Sequence, residues 1–199
     1  AIACHYKIKN NITHHRQIND DIEITRKNYS ENIKRNIKKA IKNKISISNN
    51  ISPESVITLF KDNKALHIPN LKDENYNVLR NIIHKCIYSG KANCWGAFTE
   101  ENQLCAGAFF LKSNNKAVFL FSGLNNKGRE TGAMALLIDK YIESITGEIK
   151  TFDFEGSNNF NLARFYKSFG SQEVVYQQIN INNLPKLFRP FIKFYKYLK

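Results

Sequence analysis

The residues best suited to moving protons sit in Thr151-Phe152-Asp153-Phe154-Glu155-Gly156-Ser157 and in the segment after it. At strand spacing Phe152 and Phe154 share one face while Asp153 and Glu155 share the other. Two carboxylates on one face of an otherwise apolar strand are expensive to bury, so they are expected to line an opening. A helix opened by Asn158-Asn159 then presents Leu162, Arg164, Tyr166 and, four residues later, Gly170. It brings a phenol and an amide close to the same strand end, which is the layout of a site. Each residue also has a plainer reading. Tyr166 could be a core aromatic with its hydroxyl at the rim. Glu155 could pair with Arg164 or Lys167, Asn159 could cap its helix, and Asp153, deeper in the strand, could be structural.

A second candidate is Asn125-Asn126-Lys127-Gly128-Arg129-Glu130-Thr131-Gly132, between a strand and a helix start. Free backbone N–H groups and the helix dipole favour an anion there. Gly128 and Gly132 allow close backbone approach, and Lys127 and Arg129 add charge suited to a phosphate. Glycines in such a place also simply make turns.

The elements that must position these groups read as one α/β domain with a mixed sheet and helices on both faces. Residues 1–26 are polar, with a short strand near residues 5–9 and no core of their own. A basic amphipathic helix covers 29–44, with Asn28 and Glu31 as its start signal and Lys34, Arg35, Lys38, Lys39 and Lys42 on its polar side. A short strand at 45–48 precedes a helix entered at Ser52-Pro53 and another over 72–89 ended by Gly90. Strands at 93–99, 103–112 and 116–123 form an antiparallel meander. Residues 124–130 read as a loop, 131–146 as a helix, 151–155 as a strand, 159–169 as a helix and 173–181 as a last strand.

The net charge of +13 would attract coenzyme phosphates, RNA or an acidic membrane surface, although scattered lysine is also simply solvated surface. No apolar run approaches the roughly 20 residues of a spanning helix, so no integral membrane association is expected. Cys4, Cys86, Cys94 and Cys105 form no C-x-x-C pair and read as reduced thiols of a cytoplasmic protein. His14-His15 falls in a polar, loop-like region, and no metal site is expected. Met134 is the only methionine, so the natural protein is expected to extend upstream of Ala1.

The loop and the last helix together resemble the GNAT acyltransferases. That family's pyrophosphate loop reads Arg or Gln, two residues, Gly, one residue, then Gly or Ala. Arg129 and Gly132 match, while Met134 stands at the final small position. The family's asparagine seven residues before a tyrosine, and its glycine four after, match Asn159, Tyr166 and Gly170. The resemblance covers roughly 45–181 and implies a GNAT fold over 45–182, with a mixed, mostly antiparallel central sheet. It implies transfer of an acyl group from acetyl-CoA or another acyl-CoA to a primary amine by direct attack, without a metal. The strand containing Leu120, Phe121 and Ser122 would offer its backbone to the pantetheine arm. Lys127, Gly128, Arg129, Gly132, Ala133 and Met134 would hold the pyrophosphate, and Asn159 would bond the arm's amides. Tyr166 would protonate the departing thiolate, and Glu155, or Asp153 beside it, would take a proton from the amine.

A narrower resemblance is to the FemAB-like branch, whose members pair two GNAT-like domains. The 152–157 strand and Phe165-Tyr166-Lys167-Ser168-Phe169-Gly170 look like that branch, and 29–44 resembles the basic helix between its domains. Residues 1–44 would then be the remnant of an upstream half plus that helix. This implies a second reading, an aminoacyl-tRNA-dependent transferase acting on a peptidoglycan precursor. Fem ligases typically show lysine where this chain has Tyr166, and tyrosine belongs to the coenzyme A-dependent members. A third reading, from a different class, is a non-catalytic RNA- or protein-binding module, for which the 127–132 loop would not be shaped for a pyrophosphate. The basic, aromatic tail 183–199 is expected to dock on the domain or on the upstream half.

Overall fold

The computed structural model describes residues 5–63, 72–156 and 158–182. In chain order these form β1 (His5–Gln17), α1 (Ile22–Lys27), α2 (Glu31–Lys42), β2 (Ser46–Ser48), α3 (Pro53–Asn63) and α4 (Asp73–Tyr88). Then come β3 (Ala92–Phe98), β4 (Leu104–Ser113), β5 (Lys116–Leu124), α5 (Asn126–Thr131), α6 (Ala133–Ile145), β6 (Thr151–Gly156), α7 (Phe160–Lys167) and β7 (Gln172–Asn182). The tail 183–199 and Cys4 lie outside the described residues.

One seven-stranded sheet runs in the order β2-β3-β4-β5-β6-β1-β7. Every neighbouring pair is antiparallel except β5 with β6. The expected meander is β3–β4–β5. The short strand expected near residues 5–9 continues to Gln17 and pairs with β6 on one side and β7 on the other. The expected boundary at residue 45 is therefore not a boundary of the sheet. Polar residues mislead here because Asn11, His14 and Arg16 are buried yet hydrophilic.

The sheet separates two apolar layers, as alternating strands require. The larger joins α2, α6 and α7 to the sheet through Phe110, Phe119, Phe152, Phe154 and Tyr141. Phe110 stacks on Tyr141 with ring centroids 3.6 Å apart. The smaller holds α3 and α4 through Val56, Ile57, Tyr76, Ile83 and Phe109. Gly96, Gly107 and Gly123 lie side by side on β3, β4 and β5. A Cβ at Gly123 would come within 2.7 Å of the Phe60 backbone nitrogen, so this row lets α3 lie directly on the sheet.

Local signals explain most boundaries. Ser30, rather than the expected Asn28, caps α2 by accepting from the Ile33 N–H at 3.3 Å; Asn28 instead ends α1. Arg26 of α1 grips the nearly buried Asp139 of α6 with two hydrogen bonds of 3.0 and 2.8 Å, tying this early segment to the core. Cys94 and Cys105 are buried free thiols, and burial pushes the Cys94 thiol up to about 12. Beyond β6, the β1–β7 ribbon leaves Tyr6, Ile8, Val175, Ile179 and Ile181 exposed.

Candidate functional site

The parallel pair β5–β6 is joined over three residues only, Lys116↔Thr151, Ala117↔Phe152 and Val118↔Asp153. β5 then runs on to Leu124 with β4 still beside it, while β6 turns toward β1. Each strand carries one extra residue at the parting. On β5, Phe119 and Phe121 oppose the consecutive Phe110 and Phe109, which leaves Leu120 as a bulge. On β6, two residues lie between Asp153 and Gly156 where β1 has only His14 between Thr13 and His15. Glu155 takes up the slack in the left-handed region, at φ 66°. A bulge bends its strand and increases the local twist. Two bulges on neighbouring strands therefore open a wedge between them.

The wedge leads into a cleft of about 440 Å³. Its walls are apolar: Phe119 and Leu124 from β5, Met134 and Ala135 from α6, and Leu162 and Phe165 from α7. Polar groups reach it at few points, namely Ser122, Asn36, Arg129 and the Tyr166 side chain, with Gly128 and Gly132 at the mouth. An apolar channel with few fixed polar groups suits a flexible acyl-bearing arm.

Tyr166 is held by aromatic contacts on three sides. It stacks on Phe154 at 4.8 Å, and meets Phe119 at 6.4 Å and His14 at 5.7 Å edge-on. Burial, helped by the nearby Glu155 charge, pushes its hydroxyl up to about 12. It therefore carries its proton throughout the neutral range. Gly170 follows α7 in the left-handed region, where a Cβ would press on the Asn28 carbonyl oxygen at 2.8 Å.

Asp153 and Glu155 differ sharply. Asp153 is mostly buried, and both its oxygens are in use: Oδ1 accepts from Thr13 Oγ1 (2.7 Å) and the Glu155 N–H (3.0 Å). Oδ2 meets His15 Nε2 (3.0 Å) and Lys116 Nζ (3.3 Å). Glu155 is exposed at the bulge and accepts from the Gly156 N–H at 3.2 Å. The alternation expected of this strand holds through Phe154 and ends at the bulge.

The mouth departs further from expectation. Residues 124–130 were expected as an open loop, but 126–131 is the helical turn α5. Asn125 caps it by accepting from the Gly128 N–H at 2.9 Å. Gly128 lies against the Cys105 carbonyl, where a Cβ would fall 2.3 Å from the oxygen. Gly132, at φ 77°, lies under α2, where a Cβ would fall 2.6 Å from the Asn36 carbonyl oxygen. Both glycines are thus explained by backbone packing. The start of α6 has no side-chain cap at Gly132, so the dipole end remains, flanked by a carbonyl of α2.

Ser122, Gly128, Arg129, Gly132, Met134 and Tyr166 line one cleft, and the other expected residues are not among its lining residues. Leu120 and Phe121 direct their side chains into the smaller core, Phe121 against Phe60 at 4.7 Å. Lys127 lines a separate groove with Thr99, Glu100 and Glu101. Ala133 is fully buried. Asn159 caps α7, its Oδ1 accepting from the N–H groups of Asn161 and Leu162 at 3.0 and 3.3 Å. Sequence reasoning missed Asn36, Leu124, Phe165 and the histidines of β1. His14-His15 is no loop: adjacent on a strand, the two rings face opposite sides, and recognising β1 was the signal required.

No group of three or more His, Cys, Asp or Glu side chains among the described residues is arranged to hold a metal ion. No helix among them is long and apolar enough to cross a membrane.

No sequence-family model matches the chain, and no curated protein matches it. Solved structures do. FemX superposes with a TM-score of 0.70 over 90% of this chain and 63% of its own, at 14% identity. L-PGS from Bacillus licheniformis gives 0.56 over 97% of this chain and 67% of its own, at 9% identity. A tandem GNAT protein from the clavulanic acid biosynthesis pathway gives 0.54 over 92% and 57%, at 12% identity. The chain thus spans about 63% of the length of FemX. At such identities the likeness is one of fold: the chain has a GNAT-like fold with FemAB-like structural neighbours.

Proposed function

We propose that this domain transfers an acyl group from an activated donor to a primary amine, with the donor's arm in the cleft between β5 and α7. The observation that carries the reading is the parting of β5 from β6 after Val118 and Asp153, opening into an apolar channel with a protonated phenol. The unprotonated amine attacks the carbonyl carbon, the C–N bond forms as the C–S bond of a thioester breaks, the Tyr166 O–H proton goes to the leaving sulfur, and the N–H proton shed as the amide forms restores the phenol through solvent. Proton donation of this kind contributes about 10²–10⁴-fold. The leading donor is an acyl-CoA, because an apolar channel ending near a helix start and Arg129 suits a thioester arm followed by phosphate. Calorimetric titration with acetyl-CoA tests it: saturable binding is expected, and a folded protein that takes up none at millimolar donor overturns it.

A second reading, an aminoacyl-tRNA donor, is favoured by α2. That helix places Asn36 at the cleft mouth and presents Arg35, Lys38, Lys39 and Lys42 to solvent or partly so. FemX and L-PGS share the fold, which keeps this reading open. It expects retention of aminoacyl-tRNA that weakens steeply between low and moderate salt. Absence of retention at low salt removes it.

A further inference from the structure

The cleft holds the donor side of the proposed reaction, and no carboxylate or imidazole is among the described residues that line it. A primary amine is mostly protonated near neutral pH, so something must receive its proton. The opposite face of the sheet offers a candidate at the same point along the strands. His15 and Asp153 are direct register partners on β1 and β6, and Asp153 also marks the last rung joining β6 to β5. Because His14 contacts Tyr166 on the cleft side, its neighbour His15 faces away from the cleft.

The hydrogen bonds fix what each group can do. A carboxylate has about four lone-pair directions. Asp153 uses them on Thr13, the Glu155 N–H, His15 and Lys116, so its oxygens are engaged. Facing a carboxylate oxygen at 3.0 Å, His15 Nε2 is the donor, so in the neutral ring the lone pair is on Nδ1. The His15 side chain is 20% exposed, and Lys116 Nζ, 3.4 Å from Nε2, flanks the pair. An imidazole fixed by a buried carboxylate, with its second nitrogen unprotonated, is the arrangement of an oriented base.

We propose that His15 is the general base for the acceptor amine, that Asp153 is its positioning residue, and that the amine binds on the sheet face opposite the donor cleft. The proposal rests on the acyl-transfer reading above. The ammonium gives one proton to His15 Nδ1, the freed nitrogen bonds to the acyl carbon at the parting of β5 and β6 as the C–S bond breaks, the Tyr166 proton leaves on the sulfur, and the second N–H proton, shed as the amide forms, restores the Tyr166 hydroxyl through solvent. His15 then returns its proton to solvent.

Acetyl transfer from acetyl-CoA to ethylamine, with donor affinity measured by calorimetry, tests this in the wild type and in His15→Gln, Asp153→Asn and Glu155→Gln. His15→Gln keeps an amide donor toward Asp153 but cannot accept the proton. It is expected to lower turnover about 100-fold or more and to keep donor affinity within twofold. Asp153→Asn is expected to lower turnover with donor affinity kept, and Glu155→Gln to lower it less than His15→Gln does. Full turnover in His15→Gln, or a Glu155→Gln variant that is the inactive one, overturns the assignment. Loss of donor affinity in His15→Gln would mark a merely structural residue and overturns it too. If acetyl-CoA fails to bind the wild type, the donor reading fails separately. His15 is then tested by ring nitrogen NMR, which must report an Nε2–H tautomer and move on titration with ethylamine; a ring that does neither overturns the proposal.

Discussion

The two ends of the cleft are built on opposite principles. At the inner end, β5 and β6 are forced apart by two bulges, and the space is kept open by aromatic rings locked against one another. At the mouth, α5 and α6 are drawn together with α2 by glycines so closely approached that a methyl group would collide. The inner end spends stability on an opening, since β5 residues beyond Val118 forgo ladder partners on the β6 side. The mouth gains packing at the position where an open phosphate loop was expected. A functional opening is thus marked by backbone irregularity more reliably than by glycine spacing, because glycine serves close packing as readily as ligand approach.

The largest effect is expected at the inner end. Tyr166→Phe removes one oxygen and keeps the ring stack, so turnover should fall by about 10²–10⁴-fold. Donor affinity, measured by calorimetry, should stay within about threefold. An active variant would mean that the ring serves packing alone. Phe154→Ala strikes the support of that ring. Phe154 is fully buried between Phe119, Phe152, Tyr166 and Phe169. Such truncations cost about 3–5 kcal/mol, read from the denaturant midpoint, and activity should fall further than the folded fraction because Tyr166 loses its stacking partner.

At the mouth the comparison can be made internally. Gly132 and Gly147 are both in the left-handed region, at φ 77° and 85°, but a Cβ at Gly147 meets nothing within 4 Å. Alanine at Gly147 should therefore cost only the backbone penalty, about 1 kcal/mol. Alanine at Gly132 adds a collision with the Asn36 carbonyl, which can be relieved only by moving α2 away from α6. A cost of about 1–3 kcal/mol beyond Gly147→Ala is expected from such overpacking, again by denaturant unfolding. Equal costs at both positions would mean that α2 yields freely, and the contrast between a packed mouth and an opened inner end would be lost.

Most of the architecture was legible because it rests on local signals. Alternation marked β3, β4, β5 and β6, Gly90 ended α4, and the apolar spacing of Met134, Leu137, Ile138 and Tyr141 marked α6. What was not legible depends on contacts distant in sequence. β1 buries His14 and Arg16, which read as surface residues, and its partners β6 and β7 lie more than a hundred residues away. Arg16 donates to the Thr25 and Gly170 carbonyls, which satisfies part of the buried guanidinium and explains how the fold tolerates it. Within the site, the strand and phenol were foreseen, whereas the wall supplied by Asn36 and the partnership of His15 with Asp153 were not. Both arise from pairing and packing between the first and last parts of the chain. The loop motif was found in sequence at Arg129 and Gly132, yet its local geometry was set by Cys105 and Asn36, neither of which any nearby pattern announces.

The smallest expected effect concerns the phenol's proton and separates Tyr166 from the other buried tyrosines. Tyr29 and Tyr141 are also held protonated by burial, so alkaline unfolding of the wild type reports several groups together. Tyr166→Phe isolates one of them. Below about pH 10 the hydroxyl is neutral in both folded and unfolded chains, so the stability difference between wild type and variant should not change with pH. Above pH 10 the unfolded chain releases the proton while the folded chain retains it up to about 12. The folded state then binds more protons, and the wild type loses stability relative to the variant by up to roughly 1.4 kcal/mol per pH unit. Unfolding by urea at pH 9, 10 and 11 measures that slope. A difference that stays flat across this range would mean that the hydroxyl is solvated in the folded chain. The phenol would then face water rather than the enclosed end of the cleft, and the contrast between the two ends would lose its chemical half.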